Sequence, residues 1–341
     1  MSKRAIIQRV DPPAAIPGGE VSIEWKGLDT DPNQPLRVLF ADVKAHLVAA
    51  SRARALTLVP GLEEHGQISV SIQRGSQSTS TSAIVLGRKL AADIHPVANP
   101  VFDPADNSLF VTRSGSRGEH VEVSIYRIRA DGEIEEFSGD IMNPTAIAFD
   151  PRGQMFVTSR YDGTVYRVSP FKEVSVFASD LGIATGLAFN EEGEMFVGDR
   201  SGTIFRVDEI GQASPWAQHE PSVSAYHLAF GPDGALYVTG PTVSSFDAVT
   251  RFDNDGMAEI FYRGLGRPQG LAFDRDGNLY VAASLRGRRG IVKVPPDAGK
   301  AEIVVAGMNI VGLAFSGNGE MIVATNDALY GLPLGIYGSL I

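Results

Sequence analysis

Apolar and polar positions alternate with a period of two in short bursts along the chain, and Gly, Pro, Asp or Asn closes most bursts. That is the pattern of half-buried strands joined by tight turns. No stretch carries the 3.6-residue period of an amphipathic helix. From about residue 97 the bursts become copies of one phrase. A short apolar strand (Leu187-Ala188-Phe189) meets an acidic, glycine-bearing turn and then a second strand (Met195-Phe196-Val197). A loop and a third strand follow (Thr203-Ile204-Phe205-Arg206-Val207), and a fourth precedes the next copy, as at Glu173-Val174-Ser175-Val176-Phe177. Phe102, Phe149, Phe189, Phe230, Phe273 and Phe315 anchor the copies, at spacings of 47, 40, 41, 43 and 42 residues. Four strands per repeat of this length is the unit of a β-propeller blade, and six copies predict six blades.

The last copy ends on a third strand near Ala328–Leu332 and has no fourth. The missing strand is matched ahead of the first copy. Leu90-Ala91-Ala92-Asp93-Ile94 resembles Phe177-Ala178-Ser179-Asp180-Leu181, with each Asp nine residues before its anchor Phe. Residues 88–94 are therefore expected to supply the outer strand of the last blade, so that the ring has no open edge. Residues 1–87 lie outside the repeat. Alternating runs at 21–25, 36–40, 55–59 and 68–72, several separated by Pro or Gly turns, predict a small β-sandwich with its boundary near Gly87. The expected fold is all-β, a sandwich over 1–87 and a propeller over 88–341.

Composition narrows the function classes. Cysteine is absent from the 341 residues, which removes disulfides, Cys-based zinc sites and thiol nucleophiles. The net charge is −10, and the excess of acid lies after residue 87. Such a chain is not built to neutralise many phosphates, so nucleic acid is not an expected partner. No run approaches the roughly 20 apolar residues of a membrane helix, so membrane insertion is not expected. The N-terminus shows no apolar signal core, which points to the cytoplasm unless a leader precedes it.

Two families are now in view. Residues 5–87 resemble the IPT/TIG domain, an immunoglobulin-like sandwich, through Pro17-Gly18-Gly19-Glu20-Val21-Ser22-Ile23, Val59-Pro60-Gly61 and a closing strand from about Thr79 to Gly87. Residues 97–333 resemble NHL-repeat and gluconolactonase/regucalcin-type six-bladed propellers. The carriers are Gly-Leu-Ala-Phe at Gly186, Gly270 and Gly312, and Asp-Gly-Asn-Leu-Tyr-Val at Asp276. The second resemblance implies a calcium or zinc ion at the top of the central channel, used in lactone hydrolysis and held by Glu, Asn and Asp. The Asn and Asp would stand just before the Gly-Leu of inner strands. Ala98, Thr145, Thr185, Tyr226, Gln269 and Val311 occupy those places, and none is a carboxylate or an Asn. A hard divalent ion wants several oxygen ligands, usually with charge, so no metal cofactor is expected. The acidic Asp-Gly turns, such as Asp274 to Asn278, read as hairpins rather than calcium loops.

The remaining candidates concern binding. Ala98, Asn99, Thr145, Thr185 and Val311 are expected to line the channel. His227 is the one histidine on an inner strand near its mouth, and is the candidate base for a water in a hydrolase. Turns after the first strands gather Asp103, Asp150, Glu191, Glu192, Asp233 and Asp274 on the bottom face. Loops after the second strands gather Arg113, Arg117, Arg160, Arg200, Arg286 and Arg288 on the top face. Arginine binds carboxylate and phosphate bidentately, so Arg113, Arg160, Arg200 and Arg286, with Tyr226, His227 and Gln269, are expected to hold a small anionic ligand or an acidic protein segment. A competing expectation is pairing between blades, such as Arg200 with Asp162. Three longer loops, 114–120, 240–247 and 284–290, are expected to rim a pocket over the channel. The alternative to a binding protein is a lactone or ester hydrolase with a degenerate metal site.

Overall fold

A computed structural model describes residues 5–28, 34–116, 118–244 and 246–339. Arg117 and Ser245, which belong to two of the long loops, lie outside the described residues. Every regular element is a β-strand. Among the described residues no helix is long and apolar enough to cross a membrane.

The repeated phrase folds into four-stranded antiparallel sheets. One contains Val101–Phe102, Leu109–Thr112, Ile125–Ile128 and Ile134–Ser138. The next two contain Pro144–Phe149, Met155–Ser159, Thr164–Val168 and Val174–Ala178, then Ala184–Phe189, Met195–Asp199, Thr203–Val207 and Ala213–Gln218. His227–Phe230, Leu236–Thr239, Asp247–Phe252 and Ala258–Gly266 pair in the same order. So do Leu271–Phe273, Leu279–Leu285, Arg288–Val294 and Glu302–Ala306. The last set, Ile310–Phe315, Glu320–Thr325 and Leu329–Pro333, takes Arg88–Ala91 as its fourth strand, with Arg88 opposite Gly331 and Lys89 opposite Tyr330. The early segment thus pairs with the last repeat, and its strand ends shortly before Asp93, which turns with a φ of 59°. These sheets form a β-propeller. Second strands such as Met155–Ser159 are buried at every position, whereas fourth strands such as Val174–Ala178 face water in part.

Successive sheets are held together by aromatic pairs. Phe149 packs on Phe110, Phe189 on Phe156, Phe230 on Phe196, Phe273 on Tyr237 and Phe315 on Tyr280, with ring centroids 4.8 to 5.9 Å apart. In five of the six sheets the anchor phenylalanine therefore meets the second-strand aromatic of the sheet before it, in the tilted or edge-on geometries that ring quadrupoles favour. Threonines add hydrogen bonds across the same seams. Thr112 Oγ1 donates to the Thr145 carbonyl at 2.6 Å, Thr158 to that of Thr185 at 3.3 Å, and Thr239 to that of Gln269 at 2.5 Å.

Ahead of the repeats, two sheets enclose a separate core. One orders Ile6–Asp11, Glu20–Lys26, Arg54–Leu58 and His46–Ala50; the other orders Ser82–Leu86, Gly66–Arg74, Leu36–Phe40 and Val43–Lys44. Trp25, Phe40, Ile23, Ile72 and Ile84 fill the space between them. The two-residue strand Ala14–Ala15 runs parallel to both Ser82–Leu86 and Glu302–Ala306, which makes one continuous sheet from the N-terminal segment into the propeller. Ile16 N–H donates to the Ala306 carbonyl at 2.9 Å. Arg288 completes the junction, donating to Asp11 Oδ2 at 2.6 Å and to the Asp11 carbonyl at 2.7 Å. Burial raises the Asp11 pKa, but hydrogen bonds from Arg288 and Arg9 outweigh it and hold the carboxyl below its usual range.

Candidate functional site

A central cavity of about 670 Å³ runs along the inner strands. Its wall is mostly apolar: Ala98, Ala146, Ala148, Leu187, Ala229, Leu271, Ala272, Leu313 and Ala314 among others. All six anchor phenylalanines also line it. They stand at or near the ends of inner strands, so they ring the end that opens toward the acidic turns. Asp150, Asn190 and Glu191 form part of that rim, with Gly338 and Ser339 beside them. The tail reaches this place because Ser339 N–H donates to the Phe273 carbonyl at 3.0 Å and Gly338 bridges to Asp274.

The expected lining residues divide. Ala98, Asn99, Tyr226 and His227 wall the cavity, whereas Thr145, Thr185, Gln269 and Val311 do not, and their successors Ala146 and Gly186 do. The physical reason is the seam. Thr145 and Gln269 accept hydrogen bonds from the preceding sheet through their carbonyls, and Thr185 Oγ1 accepts from Tyr226 N–H at 3.0 Å. Asn99 is also occupied: Nδ2 donates to the Leu271 carbonyl at 2.8 Å, and Oδ1 accepts from Leu313 N–H at 3.1 Å. It ties the start of the first repeat to the last two. Tyr226 is buried and donates its hydroxyl to the Glu220 carbonyl, so it is a packed seam residue rather than a ligand group.

The positions at which the gluconolactonase resemblance would place metal ligands do not fit one. They offer no charge, and the Thr185 and Tyr226 hydroxyls are already bonded to neighbouring backbone. Among the described residues no group of three or more His, Asp or Glu is placed to hold a metal ion.

His227 is 5% exposed, and its Nε2 has no hydrogen-bond partner. Burial pushes its pKa down to about 4. His219, packed between Tyr226 and Phe252, is pushed to the same range by the same cause. A general base works best with a pKa near the operating pH, so a histidine held this low is a weak proton acceptor. The shifts also set a pH dependence. The unfolded chain binds these two protons near pH 6.5, and the folded chain only near 4. Their stabilising contribution is complete above about 6.5 and falls as pH drops through about 4. Melting temperature is expected to decline between pH 7 and 4, and His219→Phe to decline less steeply over that interval.

On the top face Arg113 Nη1 donates to the Tyr126 hydroxyl at 3.3 Å, and Arg200 Nη1 donates to the Val223 carbonyl at 3.4 Å. Arg160 donates to the Gly115 carbonyl at 2.7 Å and so holds the loop 114–120. The buried Asn143, which sequence reasoning passed over, pins that loop too: its side chain accepts from Gly118 N–H at 2.8 Å and donates to the carbonyls of Gly115 and Ser116. The expected Arg200–Asp162 pair is not formed among the described residues; Asp162 accepts from the Tyr166 hydroxyl at 2.6 Å. The stretch 284–290 is not a long loop. Leu285 and Arg288 pair directly, and Arg286 and Gly287 make a two-residue turn with φ of 52° and 83°. Arginine disguises a turn that Asn or Asp before glycine would have announced. Arg288, counted among the top-face arginines, is turned to Asp11 of the N-terminal segment. Among the described residues the long loops do not line the central cavity, which opens toward the acidic turns.

The WD domain, G-beta repeat model matches residues 134–166. No curated protein matches the sequence. Similar solved structures include an auxiliary nutrient binding protein from Bacteroides thetaiotaomicron, 13% identical with a TM-score of 0.57, covering 96% of this chain and 97% of that one. A gluconolactonase from Xanthomonas campestris is 17% identical with a TM-score of 0.58, over 73% and 89%. Virginiamycin B lyase from Staphylococcus aureus is 13% identical with a TM-score of 0.53, over 89% and 100%. At these identities the likeness shows the β-propeller fold.

Proposed function

We propose that the chain is a binding protein, built as an IPT/TIG-like, immunoglobulin-like sandwich over 1–87 and a six-bladed NHL-type propeller over 88–341. Its top face holds a small anionic ligand or an acidic segment of a partner protein. The observation that carries this reading is how arginine charge is spent. Arg127, Arg129, Arg206 and Arg251, on third strands or just after one, each pair with Asp or Glu. Among the described residues no carboxylate lies within 4.0 Å of Arg113, Arg200 or Arg286. Arg113 and Arg200 hydrogen-bond to neutral oxygens, and although the Glu119 carboxylate interacts with Arg113, the charge of Arg200 and Arg286 is left to attract an anion. The whole-chain likeness to an auxiliary nutrient binding protein agrees with a binding role. The gluconolactonase fold likeness favours the hydrolase alternative, and the donor set described above weighs against it.

Calorimetric titration with hexaglutamate tests this. Binding is expected to weaken with salt, and Arg200→Ala and Arg286→Ala are each expected to weaken it about tenfold, the size of one charge-assisted hydrogen bond. Equal affinity in both variants, or no binding by the wild type, contradicts the reading.

A further inference from the structure

We propose that the central cavity is a second binding site, separate from the arginine face, which takes a slim apolar molecule bearing a cationic head group. Its volume of about 670 Å³ falls in the range of ligand pockets, roughly 300–1,000 Å³. The wall is alanine, leucine and phenylalanine, so the body of the ligand must be apolar. The charged residues in the wall are Asp150 and Glu191, and both are acids at the open end. No lysine or arginine lines it among the described residues. A cationic head seated at the rim meets these carboxylates and the phenylalanine collar, whereas an anion meets only repulsion.

Deeper in, the wall is neutral. His227 lines it with a buried ring whose Nε2 is enclosed by protein, and both ends of the Asn99 amide are bonded to backbone, so neither competes with the rim acids for the charged head. The acids and the phenylalanine collar stand at the open end and the rest of the wall is neutral, which fixes the ligand's direction: tail inward, head outward.

Titration of the full chain with decyltrimethylammonium, decyl maltoside and decyl sulfate, each below its micelle concentration, tests this. The cationic probe is expected to bind one per chain and about tenfold or more tighter than the anionic one. Glu191→Lys is expected to weaken the cationic probe about tenfold without changing melting temperature, because the side chain is exposed. Ala272→Leu is expected to weaken all three by filling the wall. Equal binding of the three probes, no binding of any, or a cationic affinity untouched by Glu191→Lys overturns the proposal. Hexaglutamate binding should survive Glu191→Lys, so failure here is distinguishable from failure of the arginine face.

Discussion

Replacing Phe196 with alanine is expected to lower the melting temperature by about 6–20 °C. Phe196 is 4% exposed and lies between Trp216 at 4.9 Å and Phe230 at 5.2 Å. It therefore joins the outer strand of its own sheet to the inner strand of the next. Truncating a buried phenylalanine costs about 3–5 kcal/mol, because the cavity left behind adds to the lost burial. In a domain of this size each kcal/mol moves the midpoint by about 2–4 °C. Phe171, 86% exposed on a turn, is the matched control, and Phe171→Ala should shift the midpoint by less than about 2 °C. A Phe196→Ala shift as small as the control's would mean that the aromatic seams do not hold the ring.

The second large effect is at ring closure. In Gly312→Val the new Cβ would sit 2.6 Å from Asn99 Cα and 2.7 Å from both Asn99 N and the Ala98 carbonyl oxygen. Every one of these atoms is backbone, so no side chain can swing away. Overpacking of this kind costs about 3 kcal/mol or more. The strain falls where the first repeat meets the last, so proteolysis near residues 94–100 should accelerate with the loss of stability. Gly317→Ala, where nothing lies within 4 Å, should leave both readouts unchanged.

The parts of the fold legible in the sequence share one property: they repeat. The anchor phenylalanines mark phase, and the strands around them alternate because one face of each sheet is buried against its neighbour. The strand at Arg88–Ala91 was legible for the same reason, as a copy displaced to the other end of the repeat array. What did not repeat stayed hidden. Ala14–Ala15 carries no strand signal of its own, and its pairing with Glu302–Ala306 comes from tertiary position. Arg286-Gly287 makes a tight turn with a residue that seldom announces one. At Thr145 and Thr185 the wall is made by the next residues, Ala146 and Gly186, and what holds Thr145, Thr185 and Gln269 in the seams is their backbone carbonyls, which sequence does not reveal. The phenylalanines were legible as anchors but not as a collar, since periodicity says which residues are equivalent and not what they surround.

An anion on the arginine face is expected to leave a footprint on the loops that carry those arginines. Hydrogen exchange of the full chain with and without hexaglutamate locates it directly. Protection is expected in the loops 112–116, 159–163, 199–203 and 284–288, with none in the acidic turns 150–153 and 190–194. Protection confined to those acidic turns, or spread evenly over the chain despite measurable heat of binding, would contradict it.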